Sequence, residues 1–230
     1  MKCAILQPSY IPWRGYFHQI QKADVFVFYD DVQYDKHGWR NRNRIKTAQG
    51  TQWLTIPVQK KGNVEEAREI REIEINWERP WNRKHLSALT QSYGKAPFYH
   101  ALAPVLTQWY SSTPDMLAEF TIELIAQLAV LLGIRHTRFL RSSELDIPGV
   151  RTERIIKILK AVRCDHYISG PSARAYLAED RFAEEGITLE YMHYDYPEYP
   201  QLHGPFDAQV SILDLLVMTG DEAPKYIWAA

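Results

Sequence analysis

Short apolar segments that alternate with helix-like segments constrain the fold of this chain more than any other feature. Residues 3–6 have the pattern of a buried strand, residues 16–22 that of a short helix, and residues 25–29 that of a second strand. The same alternation returns between residues 137 and 218. Because strand, helix and strand in succession build a parallel sheet, the chain is predicted to be α/β, with a mostly parallel sheet and a βαβαβ core.

The later alternation predicts three strands and three helices. The predicted strands are residues 137–141, 166–169 and 188–193, and the predicted helices are residues 152–162, 172–185 and 210–218. Two insertions precede them. They are an antiparallel hairpin of residues 52–58 and 70–75 around a polar turn at 60–63, and three helices at residues 81–93, 98–110 and 115–132. We expect a single domain over residues 1–230, with a helical insertion at about 80–133.

Charge and cysteine content narrow the classes of partner. The formal net charge of −1 over 230 residues provides no long-range attraction to nucleic acid or to an anionic membrane, so anion binding must be local. The two cysteines lie far apart in sequence and fit a reducing cytoplasm, and no segment has the pattern of a signal peptide or a membrane span. The polar residues His193, Asp195, Tyr199, Gln201 and His203 have a spacing that matches no zinc signature.

The first candidate site is the loop after the first predicted strand. It contains Gln7, Tyr10, Trp13 and Gly15 together with two prolines. Proline fixes the backbone, glycine permits close approach and aromatic rings form a wall, which suits a preformed pocket. The competing interpretation is a rigid turn whose rings only pack. The position of the loop favours a ligand site, since loops at the carboxyl ends of parallel strands line the crevice in which open α/β sheets bind ligands.

The second candidate site follows the second predicted strand and joins two carboxylates to a cationic segment. Its members are Asp30, Asp31, Trp39, Arg40, Arg42, Asn43 and Arg44. Arginines can clamp a phosphate, while the acids can handle protons or hold a metal, a ribose or an amine. The alternative is a solvated, partly extended segment whose charges neutralise one another.

Two further candidates are less specific. Ser169, Gly170 and Arg174 lie where a strand runs into a predicted helix, whose free backbone amides could bind an anion, although a helix cap explains the same residues. His85 lies on the first helix of the insertion, where an imidazole could act as an acid or a base. Most single helical histidines have no such role.

A family resemblance extends over nearly the whole chain. The motif Gln7-Pro8-x-Tyr10-x-Pro12-Trp13-x-Gly15-Tyr16-Phe17 and the later Trp39-x-Asn41-Arg42-Asn43 resemble those of the WbqC-like family. Similar matches occur around residues 81–93, at Gly170 with Arg174, and at residues 206–216. The resemblance implies a role in bacterial surface-polysaccharide (O-antigen) synthesis, in which an amino sugar receives glycine or another acyl group on its amine.

A looser resemblance links the first loop to the nucleotide-binding fold of pantothenate synthetase and the nucleotidyltransferases. Their His-x-Gly-His signature corresponds here to Trp13-Arg14-Gly15-Tyr16, which lacks both histidines. This resemblance implies an ATP-dependent amide ligase as an alternative and leaves ATP and Mg²⁺ as candidate cofactors.

These observations lead to one hypothesis and two rivals. The hypothesis is a transferase or ligase that acts on a phosphate-bearing small molecule such as a nucleotide-linked amino sugar. Arginines 40, 42 and 44 would bind phosphate, Asp30, Asp31 or His85 would handle protons, and Tyr10 and Trp13 would form the pocket wall. The rivals are a non-catalytic sugar-nucleotide-binding or scaffold protein, and a protein that uses tRNA as its acyl carrier.

Overall fold

The computed structural model describes residues 1–59 and 67–228. The strands are β1 (Lys2–Leu6), β2 (Val25–Phe28), β3 (Arg42–Thr47), β4 (Gly50–Thr55), β5 (Arg138–Arg141), β6 (His166–Ser169) and β7 (Thr188–Tyr191). The helices are α1 (Arg14–Lys22), α2 (Trp81–Tyr93), α3 (Tyr99–Ser111), α4 (Leu117–Leu131), α5 (Arg151–Ala161), α6 (Glu179–Glu184) and α7 (Ile212–Thr219). Four 3-10 turns cover Ile70–Glu72, Ser142–Glu144, Pro171–Ala175 and Gly220–Tyr226. None of the helices within the described ranges has the length and apolarity that crossing a bilayer requires.

Five strands form one parallel sheet in the order β5-β2-β1-β6-β7. The first strand lies at the centre, β2 and β5 extend the sheet on one side, and β6 and β7 extend it on the other. The chain therefore reverses its direction of sheet growth next to β1, which makes the junction of β1 and β6 a topological switch point. The predicted α/β class and mostly parallel sheet are confirmed.

Both faces of the sheet are buried, because successive side chains of a strand point to opposite faces. Ala4, Phe26 and Ile168 lie in the larger core cluster, together with residues of α1, α2, α3, α4 and α7. Cys3 and Val27 lie in a second cluster with α5 and α6. The sheet is thus the middle layer of three, as expected for near-continuous apolar strands.

The inserted antiparallel hairpin is present, but its strands differ from the predicted ones. β3 pairs with β4, with Arg44 opposite Trp53. Of the predicted pairing between residues 52–58 and 70–75, only an isolated bridge between Val58 and Ile75 forms, and Ile70–Glu72 is a 3-10 turn. The predicted turn at residues 60–63 lies outside the described residues.

The helical predictions hold in the middle of the chain and change in one later place. α2, α3 and α4 match the three predicted helices within two residues. α3 continues through Pro104. The predicted helix of residues 172–185 is divided into the turn Pro171–Ala175 and the short α6, so the amide-rich helix start expected after Gly170 is a single 3-10 turn.

Candidate functional site

A cleft of about 530 Å³ opens at the carboxyl ends of β1 and β6, at the switch point of the sheet. It is lined by Leu6, Gln7, Ser9, Pro12, Trp13, Tyr16, Gln19, Trp39, Arg40, Asn43, Gly170, Pro171, Ser172, Tyr194 and Gln209. Crevices at this position are where open α/β sheets bind their ligands. The strand order thus brings the first loop, the segment before β3 and the turn after β6 around one space.

The loop after β1 is held in a strained conformation by the hairpin. Ile11 has a φ of 36°, a left-handed value that β-branched residues rarely adopt. The Asn43 side-chain amide donates to the carbonyl oxygens of Tyr10 and Ile11 at 3.2 and 2.8 Å. The Tyr10 amide donates to the Trp39 carbonyl at 3.0 Å. These bonds fix the loop, so the cleft wall that it provides is preformed.

Trp13 forms the aromatic wall of the cleft, and Gly15 makes room for it. The Trp13 ring meets Tyr194 edge-on with ring centroids 4.9 Å apart. A Cβ atom on Gly15 would come within 2.3 Å of the Trp13 ring, well below any normal carbon contact. The glycine at the start of α1 therefore permits the ring to lie against the helix.

Arg40 is the charged residue of the cleft lining. Its side chain is half-buried, its Nε atom is fully buried, and no described residue accepts a hydrogen bond from it or forms an ion pair with it. Burial lowers the pKa of Arg40 below its ordinary value, while Tyr16 and Asp35 oppose that shift. Because an arginine keeps its charge in proteins, the cleft contains a cation that a ligand anion can pair with.

The other polar side chains of the cleft lining are amides and hydroxyls. The Gln19 side chain donates to the Ile168 carbonyl at 2.8 Å and accepts from the Tyr194 hydroxyl at 3.3 Å. Sequence analysis did not identify Gln19, Tyr194 or Gln209. Gln19 lies one helical turn after Tyr16, so helical spacing could have indicated it. Tyr194 and Gln209 come from the long segment between β7 and α7, where no local pattern indicates a site.

The structure brings part of the predicted site together. Gln7, Trp13, Trp39, Arg40, Asn43 and Gly170 line the cleft. Gly15 lies directly behind Trp13. The remaining predicted residues lie outside the lining; they are Tyr10, Asp30, Asp31, Arg42, Arg44, His85, Ser169 and Arg174. The exposed Arg174 stacks on Tyr191, with its guanidinium carbon 4.4 Å from the ring centroid.

Tyr10 and His85 form a buried network. The Tyr10 hydroxyl is 2.8 Å from His85 Nδ1 and also hydrogen-bonds the Tyr110 hydroxyl. Burial lowers the pKa of His85 to about 4, with a smaller opposing effect from the Thr55 backbone. The imidazole is therefore neutral at physiological pH, and the Tyr10 hydroxyl connects the first loop to α2 through His85 and to α3 through Tyr110.

Asp30 and Asp31 are each engaged in ion pairs at the end of β2. Asp30 is fully buried and accepts from Arg141 Nε at 2.7 Å and from the Ser143 hydroxyl at 2.9 Å. Asp31 pairs with Arg154 of α5 and also accepts from Ser142. These carboxylates connect β2 to β5 and α5, on the side of β1 away from β6.

The lining as a whole suits the binding of an anion next to a planar or apolar group. Its described members provide four side-chain amides, four hydroxyls and one guanidinium, but no carboxylate, imidazole, thiol or amine. No three His, Cys, Asp or Glu residues in ranges 1–59 and 67–228 cluster closely enough to hold a metal ion. The cleft itself thus offers no carboxylate to a magnesium ion.

The layered sheet and its switch-point cleft define an α/β protein of the doubly wound class. The chain belongs to the WbqC-like protein family, whose profile matches residues 7–226. An uncharacterised protein of Mycobacterium tuberculosis (strain ATCC 25618 / H37Rv), Rv1507c, is 42% identical to it over 228 residues, covering 98% of this chain and 97% of that protein. No solved structure matches the chain.

Proposed function

We propose that the cleft binds a small molecule that carries a planar ring and an anionic group, and that the protein is a transferase or ligase acting on a nucleotide-linked amino sugar. The observation that carries this proposal is Arg40, a cation in an aromatic cleft that forms no ion pair with a described residue, although the Asp35 carboxylate is near enough to raise its pKa. A charge-assisted hydrogen bond from a guanidinium to a phosphate is among the stronger polar contacts in proteins. The strand order supports the position of the site.

The size and walls of the cleft fit such a ligand. A volume of about 530 Å³ lies within the usual range for small-molecule sites. Trp13, Trp39 and Tyr194 provide faces and edges against which a base or a sugar ring can stack. Half-exposed Trp39 stands at the mouth, where it can contact the part of the ligand that leaves the cleft.

Amide formation in this cleft would depend on positioning more than on acid–base catalysis. The neutral amine nitrogen of the sugar would attack the carbonyl carbon of an activated acyl donor. The new C–N bond forms as the bond from that carbon to the donor's leaving group breaks, the leaving group departs, and the amine gives up one proton to a proton carrier or to solvent. Both reactants gain from being held together in one orientation. The Gln7, Gln19 and Ser172 side chains can supply hydrogen bonds to the acyl oxygen or the sugar. Asp30, Asp31 and His85 remain proposed proton carriers, and each would first have to leave its present hydrogen bonds.

Arg40→Ala tests the proposed anion site. We expect the dissociation constant for nucleotides and nucleotide sugars to rise more than tenfold, because a contact worth about 1.5–3 kcal/mol is lost. The melting temperature should be nearly unchanged, since no described group loses a partner. Calorimetric titration measures the affinity. Arg135→Ala, at an exposed position before β5, is the matched control, and an Arg40→Ala affinity equal to that of the control would refute the assignment.

A non-catalytic sugar-nucleotide-binding protein is the second candidate. It is favoured by the lining itself, which lacks a carboxylate, an imidazole and a thiol among its described residues. Incubation of the protein with an amino-sugar nucleotide and activated acyl donors, followed by mass spectrometry, separates the two candidates. Amide product that disappears in Arg40→Ala supports the enzyme, whereas tight binding with no product from any donor supports the binding protein.

A further inference from the structure

The exposed face of the β3–β4 hairpin carries two tryptophans and two arginines in contact, and we name these four residues the hairpin face. Trp39 and Trp53 are 42% and 47% exposed, and their ring centroids are 5.4 Å apart at 31°. The guanidinium carbons of Arg42 and Arg44 lie 4.8 and 5.8 Å from the Trp53 ring centroid. Neighbouring exposed rings form a contiguous apolar patch, and larger patches of this kind with polar residues around them mark interaction sites.

The charge of the hairpin face is not neutralised within the described part of the chain. Arg44 donates to the backbone and side-chain oxygens of Gln209 at 2.8 Å, and Arg42 donates to the His37 carbonyl. Neither arginine pairs with a described carboxylate, and the Nε atom of each is buried without a partner. Elsewhere, Arg141 and Arg154 are both paired with acids. Two positive charges on this face therefore remain available to an anion.

The hairpin face continues into the cleft. Trp39 belongs to both, and Gln209, which holds Arg44, also lines the cleft. Arg42 and Arg44 are two residues apart on β3, so their side chains leave the same side of the strand about 7 Å apart. Arg40, two residues before Arg42 in the sequence, lines the cleft, so this segment supplies a cation to the cleft and two to the hairpin face.

We propose that the hairpin face binds single-stranded RNA and that the terminal nucleotide of this strand enters the cleft. The binding surface is independent of the proposed function, whereas the entry of the last nucleotide rests on it. Proteins bind single strands with aromatic or guanidinium planes that stack on bases and cations that follow the phosphates. The hairpin face has aromatic rings beside guanidinium groups, and the cleft has the same combination of groups for a single nucleotide. An acidic peptide would match the arginines but has no planar groups for both tryptophans.

The test is fluorescence anisotropy with a 5′-labelled single-stranded RNA of about 12 nucleotides at increasing salt concentration. We expect Arg42→Gln with Arg44→Gln to weaken binding at least tenfold and to lower the salt slope by about 1.4, since each phosphate contact on a single strand contributes about 0.7. Trp53→Ala should weaken binding about fivefold or more, through the loss of stacking. Arg135→Gln with Lys157→Gln, at exposed sites outside the face, should bind like the wild-type protein.

Comparisons of ligands distinguish the proposal from its competitors. Three results would each overturn the proposal of RNA binding. They are wild-type affinity in the double arginine variant, equal affinity for a duplex of the same length, and stronger binding of polyglutamate than of RNA. A tRNA with a free single-stranded acceptor end should compete with the oligonucleotide, and removal of that end should abolish the competition. Melting temperatures within a few degrees of the wild-type value establish that each variant is folded.

Mononucleotide binding separates this proposal from the proposed function. If nucleotides bind the cleft through Arg40 while RNA does not bind, the hairpin-face proposal fails and the function stands. If RNA binds through Arg42 and Arg44 while nucleotides do not bind, the RNA-binding surface is supported and the proposed nucleotide site is refuted. Mononucleotide affinity should fall much less in the double arginine variant than in Arg40→Ala, because Arg40 lines the cleft whereas Arg44 contacts it only through Gln209.

Discussion

At the scale of single residues, the absence of a side chain at Gly15 sets the position of the Trp13 ring. An added Cβ would lie 2.3 Å from that ring, and such overlap forces the ring to move. Two effects then oppose each other. Alanine in a helix is favoured over glycine by about 1 kcal/mol, while the displaced ring loses its packing against Tyr194.

Gly15→Ala should therefore weaken nucleotide binding about tenfold while changing the free energy of unfolding by no more than about 1 kcal/mol. Calorimetric titration and chemical denaturation measure the two quantities. Gln21→Ala, at a position of α1 outside the cleft lining, provides the control for helix propensity. Undisturbed binding in Gly15→Ala would show that Trp13 does not form a ligand wall.

His85 makes the stability depend on pH. Its folded pKa is about 4, against about 6.5 in an unfolded chain, so the unfolded state binds more protons between these values. The contribution of His85 to the free energy of unfolding is fully present above pH 6.5. As the pH falls from 6.5 toward 4, the free energy of unfolding decreases by up to about 3 kcal/mol. Denaturation at pH 7 and pH 4.5 should show a smaller loss for His85→Gln than for the wild-type protein. Equal losses would show that His85 is not a buried neutral base.

At the scale of elements, the pair of Asp31 and Arg154 joins the end of β2 to α5. The two side chains are 8% and 10% exposed, and Arg154 also donates to the Ile147 carbonyl at 2.9 Å. Removal of one partner of a buried ion pair leaves an uncompensated charge, which costs about 3–5 kcal/mol.

Arg154→Met should thus lower the free energy of unfolding by about 3 kcal/mol and leave the nucleotide affinity of the folded protein unchanged. Lys157→Met on the same helix, where the side chain is exposed, should have a small effect. A large loss of affinity in Arg154→Met, at conditions where the protein is fully folded, would instead support the predicted catalytic role of Asp31.

The sequence predicted those elements whose stability comes from apolar periodicity. β1, β2 and β6 and the helices α2, α3 and α4 bury regular patterns and were identified. β3, with the sequence RNRIKT, has Ile45 as its one apolar buried residue, so no hydrophobic pattern indicates a strand there. The strand predicted at residues 52–58 overlaps β4, but without a recognisable β3 the prediction pairs it with residues 70–75.

At the scale of the molecule, the candidate site was predictable only where it follows a strand end. Gln7, Trp13 and Arg40 could be selected because strand C-termini of open sheets line the ligand crevice. Tyr194 and Gln209 reach the cleft from the segment before α7, and that placement depends on tertiary packing. The sequence prediction also grouped Asp30 and Asp31 with Arg40, Arg42 and Arg44. In the structure the two carboxylates pair instead with Arg141 and Arg154, outside the cleft lining.

Ligand binding should stabilise the whole molecule. A nucleotide at about a hundred times its dissociation constant adds about 2.7 kcal/mol to the free energy of unfolding, which raises the melting temperature of a chain of 230 residues by about 5–10 °C. A thermal-shift screen of nucleotides and nucleotide sugars, with and without Mg²⁺, identifies the ligand class. Arg40→Ala should abolish the shift, and a shift of the same size in Arg40→Ala would locate the ligand elsewhere.

The central place of the first strand has a consequence for biosynthesis. Within the described residues, β1 is translated before the other elements, yet Gly170, Pro171 and Ser172 of the cleft lining follow β6, and the amides of Ser211 and Ile212 donate to the carbonyls of Arg44 and Pro12. Because domains acquire long-range contacts only as the nascent chain emerges, the residues up to Ile212 must be translated before the crevice is complete. A chain that ends before β6 would keep Trp39 and Asn43, which hold the strained first loop, but would lack the cleft residues that follow β6 and β7.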